Sequence, residues 1–299
     1  MKKVQIRVPA TSANMGPGFD CLGVALSLYL EITITPSETL VFQGCPKEYQ
    51  NTDNVIYQAF SYVYEAANLA VPTVTFMIDS QIPTARGLGS SAACIVAGLF
   101  GANALLDNRY TTEELFTMAN AIEGHPDNIA PAIYGGLTAS FIDSNQPYVV
   151  KFDIDKRFCF GALIPDFELS TAKARSVLPK QLTYQDCVYN LSRAAVLAKA
   201  LETYQVEVIR KAMQDRLHEP YRKSLIENFD DIRNHALQAG ALGVYLSGAG
   251  PTMMIVCDQI NTLDKINSTL QNDQHWRLVS LQPNLSGIQI KEETSWRNI

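Results

Sequence analysis

The sequence is short of several things, and each shortage closes a route to function. Its 299 residues hold only four histidines, at 125, 218, 235 and 275, too far apart to suggest a metal cage. Six cysteines (21, 45, 94, 159, 187 and 257) are scattered without a C-x-x-C pair, and a chain this long does not need disulfides to stay folded. A reduced, cytosolic protein is expected. Charged residues make up 18% of the chain, 24 basic against 30 acidic, and a net charge of −6 argues against a broad nucleic-acid surface. The longest apolar run, Ala92 to Leu106, is broken by Gly98, Gly101 and Asn103 and falls short of the roughly 20 residues a membrane span needs. It reads as a buried helix. The opening MKKVQIRVPATSANMG has no apolar core or cleavage site of a secretory signal. Neither a G-x-x-x-x-G-K-[ST] loop nor a G-x-G-x-x-G fingerprint occurs. Repeats, low-complexity tracts and flexible linkers are lacking too.

What is present is ordinary globular material. With 47% hydrophobic residues the chain can fill a substantial core, and its length suits two domains of about 150 residues. Val4 to Val8 and Leu28 to Thr35 alternate with period two and predict half-buried strands. Asn54 to Ala67 has a helical face, with Thr52 or Asp53 available as cap. Val74 to Ile78 predicts a strand leading through a Gly/Ser turn into the apolar helix. Thr111-Thr112-Glu113-Glu114 is a capping-box sequence opening a helix with Leu115, Met118, Ala119 and Ile122 inward. A strand at Phe158 to Ile164 follows, then helical patterns over 186–204, 206–217 and 223–239, the last stopped by Gly240. Strands at Val244 to Ser247 and Met253 to Cys257 flank a glycine turn, and Thr262 to Gln271 predicts a further helix. The seam is expected near 150–160, giving domains 1–155 and 156–299 of an α+β protein.

The most informative segment is Pro83-Thr84-Ala85-Arg86-Gly87-Leu88-Gly89-Ser90-Ser91-Ala92-Ala93. A strand enters it and a helix leaves it, and the first N–H groups of that helix lack internal partners and sit at the positive end of its dipole. A phosphate fits there, with Ser90 and Ser91 adding hydroxyls. A plain strand–turn–helix connection with a serine cap is the bland alternative.

This run resembles the nucleotide loop of the galactokinase, homoserine kinase, mevalonate kinase and phosphomevalonate kinase (GHMP) superfamily. Three further segments narrow the resemblance to the homoserine kinase family: Pro9-Ala10-Thr11-Ser12-Ala13-Asn14-Met15-Gly16-Pro17-Gly18-Phe19-Asp20, Glu123-Gly124-His125-Pro126-Asp127-Asn128-Ile129-Ala130-Pro131 and Ser247-Gly248-Ala249-Gly250-Pro251-Thr252. The likeness covers nearly the whole chain; Met15, where leucine is common, is its one departure. It implies a two-domain α+β fold, with an N-terminal ATP-binding domain and a C-terminal ferredoxin-like domain. The implied activity is transfer of the ATP γ-phosphoryl group to the hydroxyl of L-homoserine with Mg²⁺, in a protein whose relatives are commonly homodimers.

The residues make chemical sense in that light. Phosphoryl transfer needs a phosphate cradle, a divalent cation and a fixed nucleophile. The loop supplies the cradle. Glu123 with Ser91 suits Mg²⁺, although taken alone Glu123 is a solvated helix-end residue. An amino-acid carboxylate asks for arginine, and Arg175 and Arg222 match the family pattern; singly, each reads as a surface salt-bridge partner. Asp20 and Asn14 are candidates for the ammonium and hydroxyl, with an Asx turn as the alternative. His125 and Thr171 complete the expected pocket, His125 being equally readable as satisfied by nearby backbone. Gly248 lies in a turn that approaches the substrate or does no more than turn the chain. Asp20 and Asn128 are expected to orient the reactants, and no general base is assigned, since a loose transition state lets the phosphate take the proton. Another small-molecule kinase of the superfamily, or a non-catalytic ligand-sensing relative, is the alternative; the retained Glu123, Ser90 and Ser91 speak against the latter.

Overall fold

The computed structural model describes residues 2–270 and 275–294. The chain opens with a long antiparallel hairpin, β1 (Lys2–Asn14) and β2 (Gly18–Pro36), followed by β3 (Val41–Gln43), α1 (Val55–Ala66) and β4 (Val74–Ser80). Then come α2 (Ser90–Leu105), α3 (Thr112–Glu123), α4 (Pro126–Tyr134) and the hairpin β5 (Leu137–Asp143) and β6 (Gln146–Phe152). The second half runs β7 (Cys159–Pro165), α5 (Thr171–Ser176), α6 (Tyr184–Glu202), α7 (Val206–Ala212), α8 (Glu219–Arg222), α9 (Phe229–Gln238), β8 (Gly243–Leu246), β9 (Met253–Cys257), α10 (Asn261–Leu270), β10 (Trp276–Leu281) and β11 (Gln289–Thr294).

Two sheets organise these elements. The first is ordered β11-β1-β2-β4-β3, with β5 on the early part of β2 and β6 on β5. The second is ordered β10-β7-β9-β8, with β7 and β8 joined through helices and α10 between β9 and β10, the ferredoxin-like arrangement. In β1, Val4, Ile6 and Val8 point inward, and then every residue from Val8 to Asn14 is buried. The first strand therefore extends six residues past the alternating stretch, because Pro9 to Asn14 is covered on both faces and needs no polar side. The second sheet is also buried on both faces. Phe160, Ala162, Met254 and Val256 join the core shared with the first sheet, while Leu163, Met253 and Ile255 pack against Ile232, Leu263 and Ile266 of α9 and α10. That is why Met253 to Cys257 reads as an unbroken apolar run. Cys159 and Cys257 face each other in register across β7 and β9, and all six cysteines are free thiols.

Several local expectations need correction. The cap of α1 is Asn54, whose Oδ1 accepts from the Ile56 N–H at 2.9 Å, not Thr52 or Asp53. The Thr111–Glu114 capping box forms, but α3 buries Leu115, Phe116, Ala119 and Asn120, and Ile122 stays 39% exposed. The pattern at 206–217 stops at Ala212, and that at 223–239 yields a 3-10 turn over Lys223–Leu225 and an α-helix only from Phe229, after Asn228 at φ +57°. Gly240, at φ +112°, follows the end of α9 as expected. The last strand crosses the anticipated seam: β11 pairs antiparallel with β1, so residues 289–294 complete the first sheet. No helix among the described residues is long and apolar enough to cross a membrane.

Candidate active site

The four sequence motifs meet where the β1–β2 hairpin turns. Asn14, Met15, Gly16 and Asp20 have φ of +73°, +43°, +76° and +53°, and this left-handed run folds the tip back on itself. Asn14 fixes it: its Oδ1 accepts from the Asp20 N–H at 3.0 Å and its Nδ2 donates to the Gly248 carbonyl at 2.8 Å. The Gly248 N–H donates in turn to the Ala13 carbonyl at 3.1 Å. Asn14 is 2% exposed, so both ends of its amide lock protein to protein rather than face an open pocket. Neither link is a local Asx turn, since the Asp20 N–H lies six residues on and Gly248 belongs to another motif.

Beside the hairpin runs the 83–93 segment. Ala85, Gly87 and Gly89 have φ of +53°, +77° and +69°. A Cβ on Gly89 would lie 1.9 Å from Thr11 Oγ1, and one on Gly87 2.4 Å from the Ser247 carbonyl, so both glycines are sterically required. The Thr11 N–H donates to the Leu88 carbonyl at 3.2 Å, and Ser247 Oγ donates to the Gly87 carbonyl at 2.5 Å. α2 then begins at Ser90 with no side-chain cap. Its first-turn N–H groups remain available to an anion at the positive end of a sixteen-residue helix. Leu88, Ala92 and Ala93 are core residues no more than 1% exposed, so what these three can offer an anion is backbone. The Arg86 guanidinium turns toward residues 165–168 instead.

Glu123 ends α3, and Gly124 at φ +91° reverses the chain. Ser91 Oγ donates to Glu123 Oε2 at 2.8 Å, which joins the expected pair of hard oxygen donors at the start of α2. Among the described residues no cluster of three His, Cys, Asp or Glu side chains suits a metal. A cation here would draw its other oxygens from phosphate and water, as Mg²⁺ commonly does. Asn128, in the first turn of α4, accepts from Thr11 Oγ1 at 2.8 Å through Oδ1. Asp127 is buried, and burial, helped by the nearby Asp20 carboxylate, pushes its pKa up to about 6. Its Oδ1 and the Nδ1 of His125 lie 3.7 Å apart, and neither has a hydrogen-bond partner among the described residues. His125 is thus not satisfied by backbone through Nδ1.

Across the hairpin tip lies a cluster of buried charge. Arg175, near the end of α5, chelates Asp20 with Nη1 and Nη2 at 3.1 and 3.0 Å. Thr171, exposed, opens the same short helix. Arg222 is fully buried: its Nη1 donates to the Gly248 carbonyl at 2.9 Å and its Nε to the Ala174 carbonyl at 3.2 Å. Burial, then the proximity of Arg175, pulls its pKa down to about 10. Both guanidiniums lie over Phe19, at 5.8 Å for Arg175 and 5.2 Å for Arg222. Arg222 is thus no surface residue, whereas Arg175, 37% exposed, is one half of a partly exposed ion pair with Asp20.

Residues that sequence reasoning missed build the support. Asp215 accepts from Asn190 Nδ2 at 2.6 Å and from the His218 and Glu219 N–H groups at 2.7 Å each, which caps α8. His218 Nε2 meets the Gly16 carbonyl at 3.1 Å, and its ring stacks on Phe19 at 5.0 Å. Burial lowers its pKa to about 4, so at neutral pH it is an uncharged spacer between the hairpin tip and Arg222. The four-residue spacing of His218 and Arg222 was the one available signal.

Known proteins match the chain over most of its length. Residues 54–136 match the GHMP kinases N terminal domain, and residues 197–272 match the GHMP kinases C terminal domain. A homoserine kinase of Clostridium botulinum is 45% identical over 95% of this chain and 97% of its own length. The chain belongs to the homoserine kinase family. Members of the family with solved structures share its fold. That of a homoserine kinase from Cytophaga hutchinsonii superposes with a TM-score of 0.85 at 27% identity, covering 97% of both chains. A putative homoserine kinase from Listeria monocytogenes gives 0.81 at 31% identity, over 97% of this chain and all of that one. The 83–93 loop lies within the GHMP N-terminal match, Arg222 within the C-terminal match, and Arg175 between the two.

Proposed function

We propose that the protein phosphorylates the side-chain hydroxyl of L-homoserine, taking the γ-phosphoryl group of ATP and yielding O-phospho-L-homoserine and ADP. The observation that carries this reading is the meeting, at one hairpin tip, of an uncapped helix behind a glycine loop with a buried guanidinium, Arg222, and a half-buried pair of guanidinium and carboxylate, Arg175 and Asp20. An amino acid is the acceptor that uses all three charges.

In this reading the N–H groups of residues 89–91 and the Ser90 hydroxyl hold the phosphates. Arg175 and Arg222 hold the acceptor carboxylate, and Asp20 takes the ammonium, exchanging part of its bond to Arg175 for it. Asn128, fixed by Thr11, turns its Nδ2 toward the hydroxyl, and His125, Thr171 and Gly248 bound the pocket. The new oxygen–phosphorus bond forms as the bond to the β-phosphate oxygen breaks, and the hydroxyl proton leaves on the phosphoryl group. Ser91 and Glu123 fit Mg²⁺, which when bound would neutralise phosphate charge. We place the reaction in the cytoplasm and expect a homodimer: Tyr184, Val188 and Leu191 form an uncharged outward stripe on α6, 93%, 60% and 72% exposed. The decisive experiment is an acceptor screen. Purified protein with Mg-ATP should release ADP with L-homoserine far faster than with L-serine, L-threonine or mevalonate, and ADP release indifferent to the acceptor would refute the reading.

A further inference from the structure

Arg86 sits in the middle of the nucleotide loop, yet its side chain crosses to the second sheet. Nε donates to the Pro165 carbonyl at 3.0 Å, and Nη2 to the Asp166 carbonyl at 2.8 Å. Nη1 donates to the Thr84 carbonyl at 3.2 Å and lies 3.2 Å from Glu168 Oε1. All three nitrogens are engaged in a side chain only 15% exposed, so the guanidinium is committed to protein. The main chain adds to this link: the Leu169 N–H donates to the Ala85 carbonyl at 3.3 Å, and the Thr252 N–H to the Arg86 carbonyl at 3.3 Å.

The segment it grips is short and well tied. Pro165 ends β7, the Asp166 N–H donates to the His275 carbonyl at 3.0 Å, and Ser170 caps α5 through the Lys173 N–H at 3.2 Å. α5 carries Arg175, which holds Asp20. An unbroken set of polar contacts thus leads from the loop facing the phosphates to the residues facing the acceptor. Lysine cannot replace it, since a single ammonium lacks the planar fork that spans these acceptors.

We propose that Arg86 is a positioning residue that couples the nucleotide loop to helix α5, so that filling either site raises affinity at the other. The coupling is reciprocal, as linkage requires. This rests on the kinase reading above. The test is calorimetric titration of homoserine with and without a Mg²⁺-bound non-hydrolysable ATP analogue, on the parent and on Arg86→Gln and Arg86→Lys. In the parent the analogue tightens homoserine binding at least about 5-fold. Both variants bring that factor close to unity, while any loss of affinity for the analogue alone is smaller than the loss of coupling. Should Arg86→Gln not fold, Arg86→Lys carries the test, because it keeps the charge and the aliphatic stem.

No coupling in the active parent, unchanged coupling in the variants, full rescue by lysine, or a loss of nucleotide affinity alone would each overturn the proposal. A parent that fails to phosphorylate homoserine refutes the kinase reading instead. An active parent with variant-insensitive coupling refutes only the role of Arg86.

Discussion

Around the proposed nucleotide loop the chain offers backbone: glycines at positive φ, an uncapped helix start, and core residues directly behind. Around the proposed acceptor pocket it offers side-chain charge, with Arg175 on Asp20 and Arg222 buried against Phe19. The difference follows from the ligands. A phosphate is met well by converging N–H groups, whereas a zwitterion with a carboxylate and an ammonium needs opposite charges held apart. One side is therefore sensitive to volume and the other to charge.

The comparison breaks first at Gly89. Gly89→Ala puts a methyl group onto Thr11 Oγ1 at a position with φ of +69° and should lower kcat/KM at least roughly 100-fold, about 2.7 kcal/mol. Near-parent steady-state kinetics would show that the loop can move aside. Next comes Arg175→Ala, which should raise KM for homoserine roughly 30-fold with KM for ATP almost unchanged, as expected for losing charge-assisted hydrogen bonds. Equal loss at both substrates would erase the division between the two sides. A smaller effect is expected at Glu123, where Gln substitution should raise the Mg²⁺ concentration for half activity by about 10-fold. An unchanged metal titration removes Glu123 from the cation site.

The smallest effect concerns Asp127, which belongs to neither side. Its pKa rises from 3.8 to about 6 in the folded protein. Below pH 3.8 both folded and unfolded chains carry the proton, and between 3.8 and about 6 only the folded chain does. Stability therefore falls as pH rises through this window, with a ceiling of about 3 kcal/mol. Asp127→Asn should gain of order 1 kcal/mol at pH 8 and lose that advantage below about pH 4, read by urea melts at each pH. It should also keep most of its activity. A drop of about 100-fold or more would mark Asp127 as the proton acceptor.

How much of this was legible depends on distance along the chain. The Thr111 capping box, the apolar α2 and the glycine loop are local signals, and all three form as their sequences indicate. β5 and β6 lack clear alternation, with Phe141, Tyr148 and Val150 on an open face, and α4 carries Pro131 in its interior. Neither gives a readable pattern. The residues that hold Arg222 were hidden for a different reason. Asn190 reaches the Pro17 carbonyl across 173 positions and His218 reaches Gly16 across 202, and no local rule reports such pairings. Asn14 and Arg86 are instructive in the opposite sense. Their motif positions were evident, but only the three-dimensional contacts show that their side chains bind protein.

The closing of the first sheet by β11 has a consequence for synthesis on the ribosome. β1 is made long before the strand that covers its outer edge, residues 289–294. At about 5–20 residues per second, that edge stays open for some tens of seconds. An unpaired edge is a template for pairing with other chains. The β1–β2 hairpin, which we place at the acceptor, therefore keeps an open edge until residues 289–294 have been made.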